Sequence, residues 1–136
     1  MKEPFGIRLK IGEEIIICKL LFKKAPITCQ AIVNMMPHEN LLHYAKIAGE
    51  EVFFGIPLIL SLERASEVSG LSAGSVAYWP NRRVFCVYYG PPQEEAATVT
   101  VFGKITQNMD GLRRMGEEVR LKQGKRVRLD IYHSQP

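Results

Sequence analysis

Val101-Phe-Gly-Lys-Ile-Thr-Gln-Asn-Met-Asp110 passes from one periodicity to another. Ala97 to Ile105 is apolar and β-branched and reads as a strand. Met109, Leu112 and Met115 then recur at helical spacing. Thr106 is placed to cap the helix, Asp110 lies in or near its first turn, Arg113 and Arg114 lie near its end, and Gly116 reads as a stop. The stretch therefore predicts a strand running directly into a helix over 107–115.

Outward from this stretch, strands dominate. Downstream, Val119 to Leu121 and Val127 to Ile131 alternate around Gln123-Gly124 as a hairpin. Upstream, Ser75 to Trp79 and Val84 to Tyr89 form a hairpin turning at Pro80-Asn81, and Gly90-Pro-Pro92 breaks the pattern. Leu41 to Ala48 and Glu51 to Leu60 read as two more strands, and 63–72 fits a helical turn or a loop. Near the start, Phe5, Ile7, Leu9 and Ile11 share one face of a strand and Arg8 and Lys10 the other. Gly12-Glu13 turns the chain into a return strand, Glu14 to Phe22. Pro26 suits the first turn of a helix over 26–36 with Ile27, Ala31, Ile32, Met35 and Met36 on its apolar face; Pro37 stops it. Strands this short and numerous favour a barrel or sandwich, and a barrel leaves no sheet edge to protect.

Composition bounds the rest. The length suits a single domain, 1–136, and 46% apolar with 24% charged residues is a globular balance. The net charge of +4 is concentrated late, at Arg113, Arg114, Arg120, Lys122, Lys125, Arg126 and Arg128. Such residues attract phosphates or simply form a solvated strand face, and no aromatic lies between Met109 and Ile131 to stack bases. Cys18, Cys29 and Cys86 are odd in number and sit in apolar settings, as expected of buried free thiols in a reducing compartment. No targeting segment is visible, and the most apolar run, Ile15 to Phe22, is interrupted by Lys19 and far short of a membrane span. The expected location is the cytoplasm. His38, His43 and His133 lack metal-ligand spacing, no P-loop or G-x-S-x-G is present, and the adjacent Glu50 and Glu51 would point to opposite faces of a strand.

The opening stretch resembles the cyclophilin segment V-F-G-K-V-x-x-G-M-D. Gly74-Ser-Val-Ala-Tyr-Trp-Pro-Asn81 followed by Val84-Phe-Cys-Val87 resembles the cyclophilin hairpin that ends in an F-F-I strand, and the spacing from Phe85 to Phe102 needs no gap. A small prokaryotic cyclophilin-like family, described as a domain of unknown function, is closer. Its G-[DE]-E-[IV]-[YF]-F, G-x-[IV]-A-Y-W-P and aromatic-G-P-x-P elements resemble Gly49-Glu-Glu-Val-Phe-Phe54, Gly74-Ser-Val-Ala-Tyr-Trp-Pro80 and Tyr89-Gly-Pro-Pro92. The resemblance implies a mainly β fold: a closed antiparallel cyclophilin-like β-barrel with two helices.

The same resemblance implies that isomerase chemistry has been lost. Cyclophilins use an arginine in an F-H-R strand, whose guanidinium favours the twisted prolyl bond. The counterpart is Leu42-His43-Tyr44, which puts Tyr44, a neutral donor, in its place. Gap-free alignment from Phe102 puts Glu94 and Val99 where the cyclophilin tryptophan and histidine stand, and Cys86 replaces the second phenylalanine of F-F-I. No catalytic residue, metal or cofactor is assigned.

Aromatics are the remaining lead. Phe53, Phe54, Tyr78, Trp79, Phe85, Tyr88 and Tyr89 crowd the middle strands, where alternation sends half of them to the core. Core packing and a ligand groove both account for this crowding. The candidate ligand contacts are Tyr78, Trp79, Tyr88 and Phe53, with His43, Tyr44 and Glu51 as polar neighbours. The leading reading is a small-molecule or peptide binding module without efficient prolyl isomerase activity, with no membrane or nucleic acid as partner. The alternatives are a diverged, weak prolyl isomerase and a basic nucleic-acid-associated protein.

Overall fold

Ile7, Leu9 and Ile11 point one way from β1 (Gly6–Ile11) and are fully buried, while Arg8 and Lys10 point into solvent. The structure, a computed structural model, describes residues 4–45, 49–92 and 97–133. Gly12-Glu13 turns β1 into β2 (Glu14–Leu20), with Ile11 opposite Glu14. Next come α1 (Pro26–Asn34), β3 (His38–Tyr44), β4 (Glu51–Gly55) and β5 (Ser66–Glu67). A 3-10 turn, Val68–Gly70, leads to the hairpin of β6 (Ser75–Trp79) and β7 (Val84–Tyr88). The chain ends in β8 (Thr98–Gln107), α2 (Met109–Leu121) and β9 (Lys125–Tyr132).

The strands run in the order β2-β1-β9-β3-β4-β7-β6-β8, and β2 pairs with β8 to close the ring. Every pairing is antiparallel, so the wall is a closed eight-stranded barrel; the short β5 adds to β8 from outside it. Closure gives the wall two faces with different roles. Inward side chains, among them Ile7, Leu9, Leu42, Phe54, Tyr78, Phe85 and Phe102, form the main core with the buried faces of both helices. A second apolar cluster, with Ala77, Val84, Cys86, Tyr88, Val99 and Val101, lies on the outward side of β6, β7 and β8.

Several expected boundaries are corrected. The second helix does not stop at Gly116 but continues to Leu121, so 119–121 is helix and the expected 119–131 hairpin does not form. Gly116 is a site of close approach rather than a stop: a Cβ there would lie 2.5 Å from Cδ1 of the Tyr89 ring. β9 pairs with β1 and β3 instead. The cap is Asn108, not Thr106, which remains in β8. Asn108 adopts a left-handed φ of 70°, which asparagine tolerates, and its side chain accepts from the Gly111 N–H at 3.0 Å. β3 begins at His38 rather than Leu41, because its pairing with β9 starts at His38 opposite Leu129; residues 46–48 of the expected strand lie outside the described residues. β4 ends at Gly55 rather than Leu60, where its partner β7 begins at Val84.

The first helix is also shorter and turned from the expected face. It buries Thr28, Cys29 and Ile32 and leaves Ile27 67% exposed. Its first turn is fixed by Glu63, far away in sequence. That carboxylate accepts from the Ile27 N–H at 3.1 Å and from the Thr28 N–H and hydroxyl at 2.6 Å each. The Glu63 N–H in turn donates to the buried Thr100 hydroxyl at 2.9 Å. No local side chain caps this helix, so a residue of the 56–65 segment supplies the acceptor that an N-cap usually provides.

Burial raises the Glu63 carboxyl pKa, but the hydrogen bonds from Thr28 and Ile27 outweigh it and hold the group below its ordinary value. A lowered folded-state pKa contributes stability that is fully present above the unfolded value and is lost as pH falls through the folded one. Glu63→Ala is therefore expected to lower stability by about 1–2 kcal/mol near neutral pH, by analogy with cap deletions. In urea denaturation the gap to the unaltered protein should narrow on acidification; a gap that widens instead contradicts the capping role.

Candidate functional site

Alternation along β3, β4, β7, β6 and β8 sets a row of side chains across the outside of the wall. His43 lies opposite Phe53, Phe53 opposite Cys86, Cys86 opposite Ala77, and Ala77 opposite Val101. The His43 and Phe53 rings are 5.8 Å apart. On one side of this row Glu51 lies opposite Tyr88; on the other Val84 lies opposite Trp79, whose ring carries the Arg82 guanidinium 5.5 Å from its centroid. Leu21, Leu71, Phe53 and Trp79 are half-buried against this outer cluster.

The expected contacts divide between the two faces. Trp79, Tyr88, Phe53, His43 and Glu51 are on the outer side, where His43 is exposed, Phe53 and Trp79 are half-buried, and Tyr88 and Glu51 are buried. Tyr78 is on the inner side and fully buried, and its hydroxyl donates to the Leu58 carbonyl at 2.6 Å. Strand alternation makes this separation of Tyr78 from Trp79 unavoidable. Tyr44 also packs against the inner core, and its N–H donates to the Gln123 side chain at 2.7 Å. Nearby, Tyr89 lays its ring on Gly116 and donates its hydroxyl to Glu117 at 3.1 Å, while Arg120 donates to the other Glu117 oxygen at 3.0 Å. Burial, and then the hydrogen bond to Glu117, pushes the Tyr89 phenol pKa up, so it is held protonated as a donor.

The late run of basic residues is largely neutralised. Arg113 pairs with Asp110, Arg114 with Glu14, Arg120 with Glu117, Lys125 with Glu118, Arg126 with Glu39, and Arg128 with both Glu39 and Asp130. Partners from β2 and β3 are invisible to a reading confined to residues 113–130. The three cysteines form no disulfide and are buried. Among the described residues no three of His, Cys, Asp and Glu come together as a metal site, and no helix is long and apolar enough to cross a membrane.

One feature of the outer face was not anticipated from the sequence. Beside Val101 the wall opens into a groove of about 400 Å³ lined by Lys24, Ser66, Glu67, Gly70, Leu71, Ser72 and Ser75. Its signal lies in the ambiguous 63–72 segment and the strand after it, where Ser66, Ser69, Ser72 and Ser75 recur every third residue.

The sequence profile of the cyclophilin-like family matches residues 6–123. Among solved structures, McbB in complex with tryptophan is similar with a TM-score of 0.83 at 17% identity, over 96% of this chain and 46% of McbB. This chain thus spans a little under half the length of McbB. The solution structure of the hypothetical protein AF2241 from Archaeoglobus fulgidus is similar with a TM-score of 0.70 at 21% identity, over 96% of this chain and 98% of that one. At these identities the likeness is one of fold. No curated protein matches the chain in sequence.

The two-faced wall makes a specific prediction for its aromatic pair. Tyr78→Phe removes the bond to the Leu58 carbonyl and should cost about 1 kcal/mol of stability in urea unfolding. It should leave the Trp79 emission maximum unmoved, because the two rings lie on opposite sides of the sheet. A shifted emission with unchanged stability would contradict this arrangement.

Proposed function

The chain belongs to the cyclophilin-like family, and from that premise we propose that it is a binding module that takes a small molecule or peptide on the outer face of β4, β7, β6 and β8. The observation that carries this reading is the half-buried Phe53 and Trp79 and the exposed His43 at the edge of the outer cluster, backed by Tyr88, Cys86, Ala77 and Val101, which are themselves buried. Part-exposed aromatic rings bury ligand area, and the imidazole and indole among them supply orienting polar groups. The Glu51 carboxylate is on the same face. Tyr78 supports the site from behind, fixing the hairpin through Leu58. That McbB is known in complex with tryptophan supports the idea that such a barrel can accompany recognition of a small aromatic molecule. The buried, unbridged thiols fit the reducing cytoplasm as its location.

Two features argue against efficient prolyl isomerisation. Tyr44, which stands in place of the cyclophilin arginine, is packed against the inner core. Cys86 replaces an aromatic in the middle of the outer row. A neutral phenol at the position of the cyclophilin arginine stabilises the twisted state poorly.

Calorimetric titration with L-tryptophan and with a short proline-containing peptide tests the reading. At least one should bind saturably, and Trp79→Ala should weaken it by about 2 kcal/mol, roughly 30-fold. Binding of neither, or binding indifferent to both Trp79→Ala and Phe53→Ala, would refute the outer-face site. In a protease-coupled assay on the same peptide, acceleration is expected to stay at background; a rate comparable to an ordinary cyclophilin would overturn the loss of catalysis.

A further inference from the structure

The groove beside Val101 holds a set of donors that the aromatic row lacks. Lys24 is half-buried in its lining, and its ammonium makes no ion pair or hydrogen bond with another described residue. The hydroxyls of Ser66, Ser72 and Ser75 are likewise not engaged by any described residue. An anion in the groove would give this ammonium and these hydroxyls charge-assisted hydrogen bonds that no described residue supplies.

The surroundings have the same sign. Ser75 lies opposite Lys104 on β8, and Lys104 lies opposite Lys19 on β2, so two more ammonium groups stand along the same side. Like charges placed directly opposite one another across strands are destabilising, and a shared anionic neighbour relieves them. The acidic group in the lining, Glu67, is exposed and makes no ion pair with Lys24. Leu71 and Val101 give the groove an apolar side continuous with the aromatic row.

We propose that this groove holds the anionic group of a phosphate ester, with Lys24 and the hydroxyls of Ser66, Ser72 and Ser75 as donors and Leu71 and Val101 against the apolar part of the ester. Several hydroxyl donors around one ammonium match the three terminal oxygens of a phosphate monoester. The inference rests on the outer face being the binding face and adds the charge and class of what it binds.

The test is a titration of 15N-labelled protein with phenyl phosphate, phenylacetate, benzyl alcohol and benzylamine, followed by amide shifts. Phenyl phosphate should bind most tightly and move the amides of Gly70, Leu71, Ser72 and Ser75. Lys24→Met keeps most of the side-chain stem and should weaken phenyl phosphate at least 10-fold while leaving benzyl alcohol unchanged; Ser72→Ala should weaken it by a smaller factor. Both variants should give native amide spectra without ligand, and if Lys24→Met does not, Ser72→Ala carries the test. Equal binding of phenylacetate would overturn the phosphate ester. Equal binding of benzyl alcohol or benzylamine in the groove would overturn the anionic class while leaving the outer face as the binding face. If no probe moves any amide on the outer face, both readings fail.

Discussion

Gly103 lies where β8 pairs with two neighbours at once, with Leu20 of β2 on one side and Val76 of β6 on the other. A Cβ at this position would stand 2.6 Å from the Cys18 sulfur, 3.2 Å from the Lys19 carbonyl oxygen and 3.3 Å from the Val76 Cβ. The barrel closes through this narrow point. A larger residue would push β2 away from β8, and an opened wall would expose two strand edges together with the interior aromatics. Closure defines an inside and an outside, and every assignment of a side chain to core or site follows from it. Phe54, Phe85 and Phe102 make contact across the inside, with ring centroids 4.6 and 5.2 Å apart along the series. Cys86, between Phe85 and Val87 in sequence, belongs to the outer cluster instead.

The parts legible in the sequence were those set by local alternation. Phe5 to Ile11, the return strand, the hairpin of 75–89 and the strand before the second helix all follow from period-two patterning and turn residues. The same rule separates Tyr78 from Trp79, yet grouping the aromatics by proximity in sequence joined them into one candidate face. What remained illegible depends on partners distant in sequence. Gly116 has the composition of a helix stop, and only the Tyr89 ring explains why the helix continues through it. The face that α1 buries is fixed by Glu63 and by the Cys29 thiol, which donates to the Phe102 carbonyl at 3.3 Å. A hydrophobic pattern would not place the hydroxyl of Thr28 inside, since a buried hydroxyl is tolerated only once its acceptor is known.

Charge shows the same dependence on distant partners. The late basic residues look like a positive stripe in sequence, but Glu14, Glu39 and Asp130 come beside them in the fold and share their charge. These exposed pairs contribute little to stability individually. Their main effect is on where positive potential is left over. Pairing neutralises much of the β9 and α2 surface, while Lys19, Lys24 and Lys104 form no ion pair among the described residues. Three of the cations without an ion pair thus stand on the side of the outer apolar cluster, away from the region where the sequence concentrates basic residues. A face combining an apolar floor with adjacent unpaired cations suits an amphipathic anion better than a neutral core segment.

The proposed binding face is the outer side of β4, β7, β6 and β8, with the inner side and both barrel ends serving structure. A crystallographic fragment screen tests this most directly, because the bound fragments report where the molecule prefers to be covered. They should collect over His43, Phe53, Trp79 and the groove beside Val101. Fragments collecting instead at the barrel end beside Tyr44, Tyr89 and Glu117, or on the charged surface of β1 and β9, would contradict it.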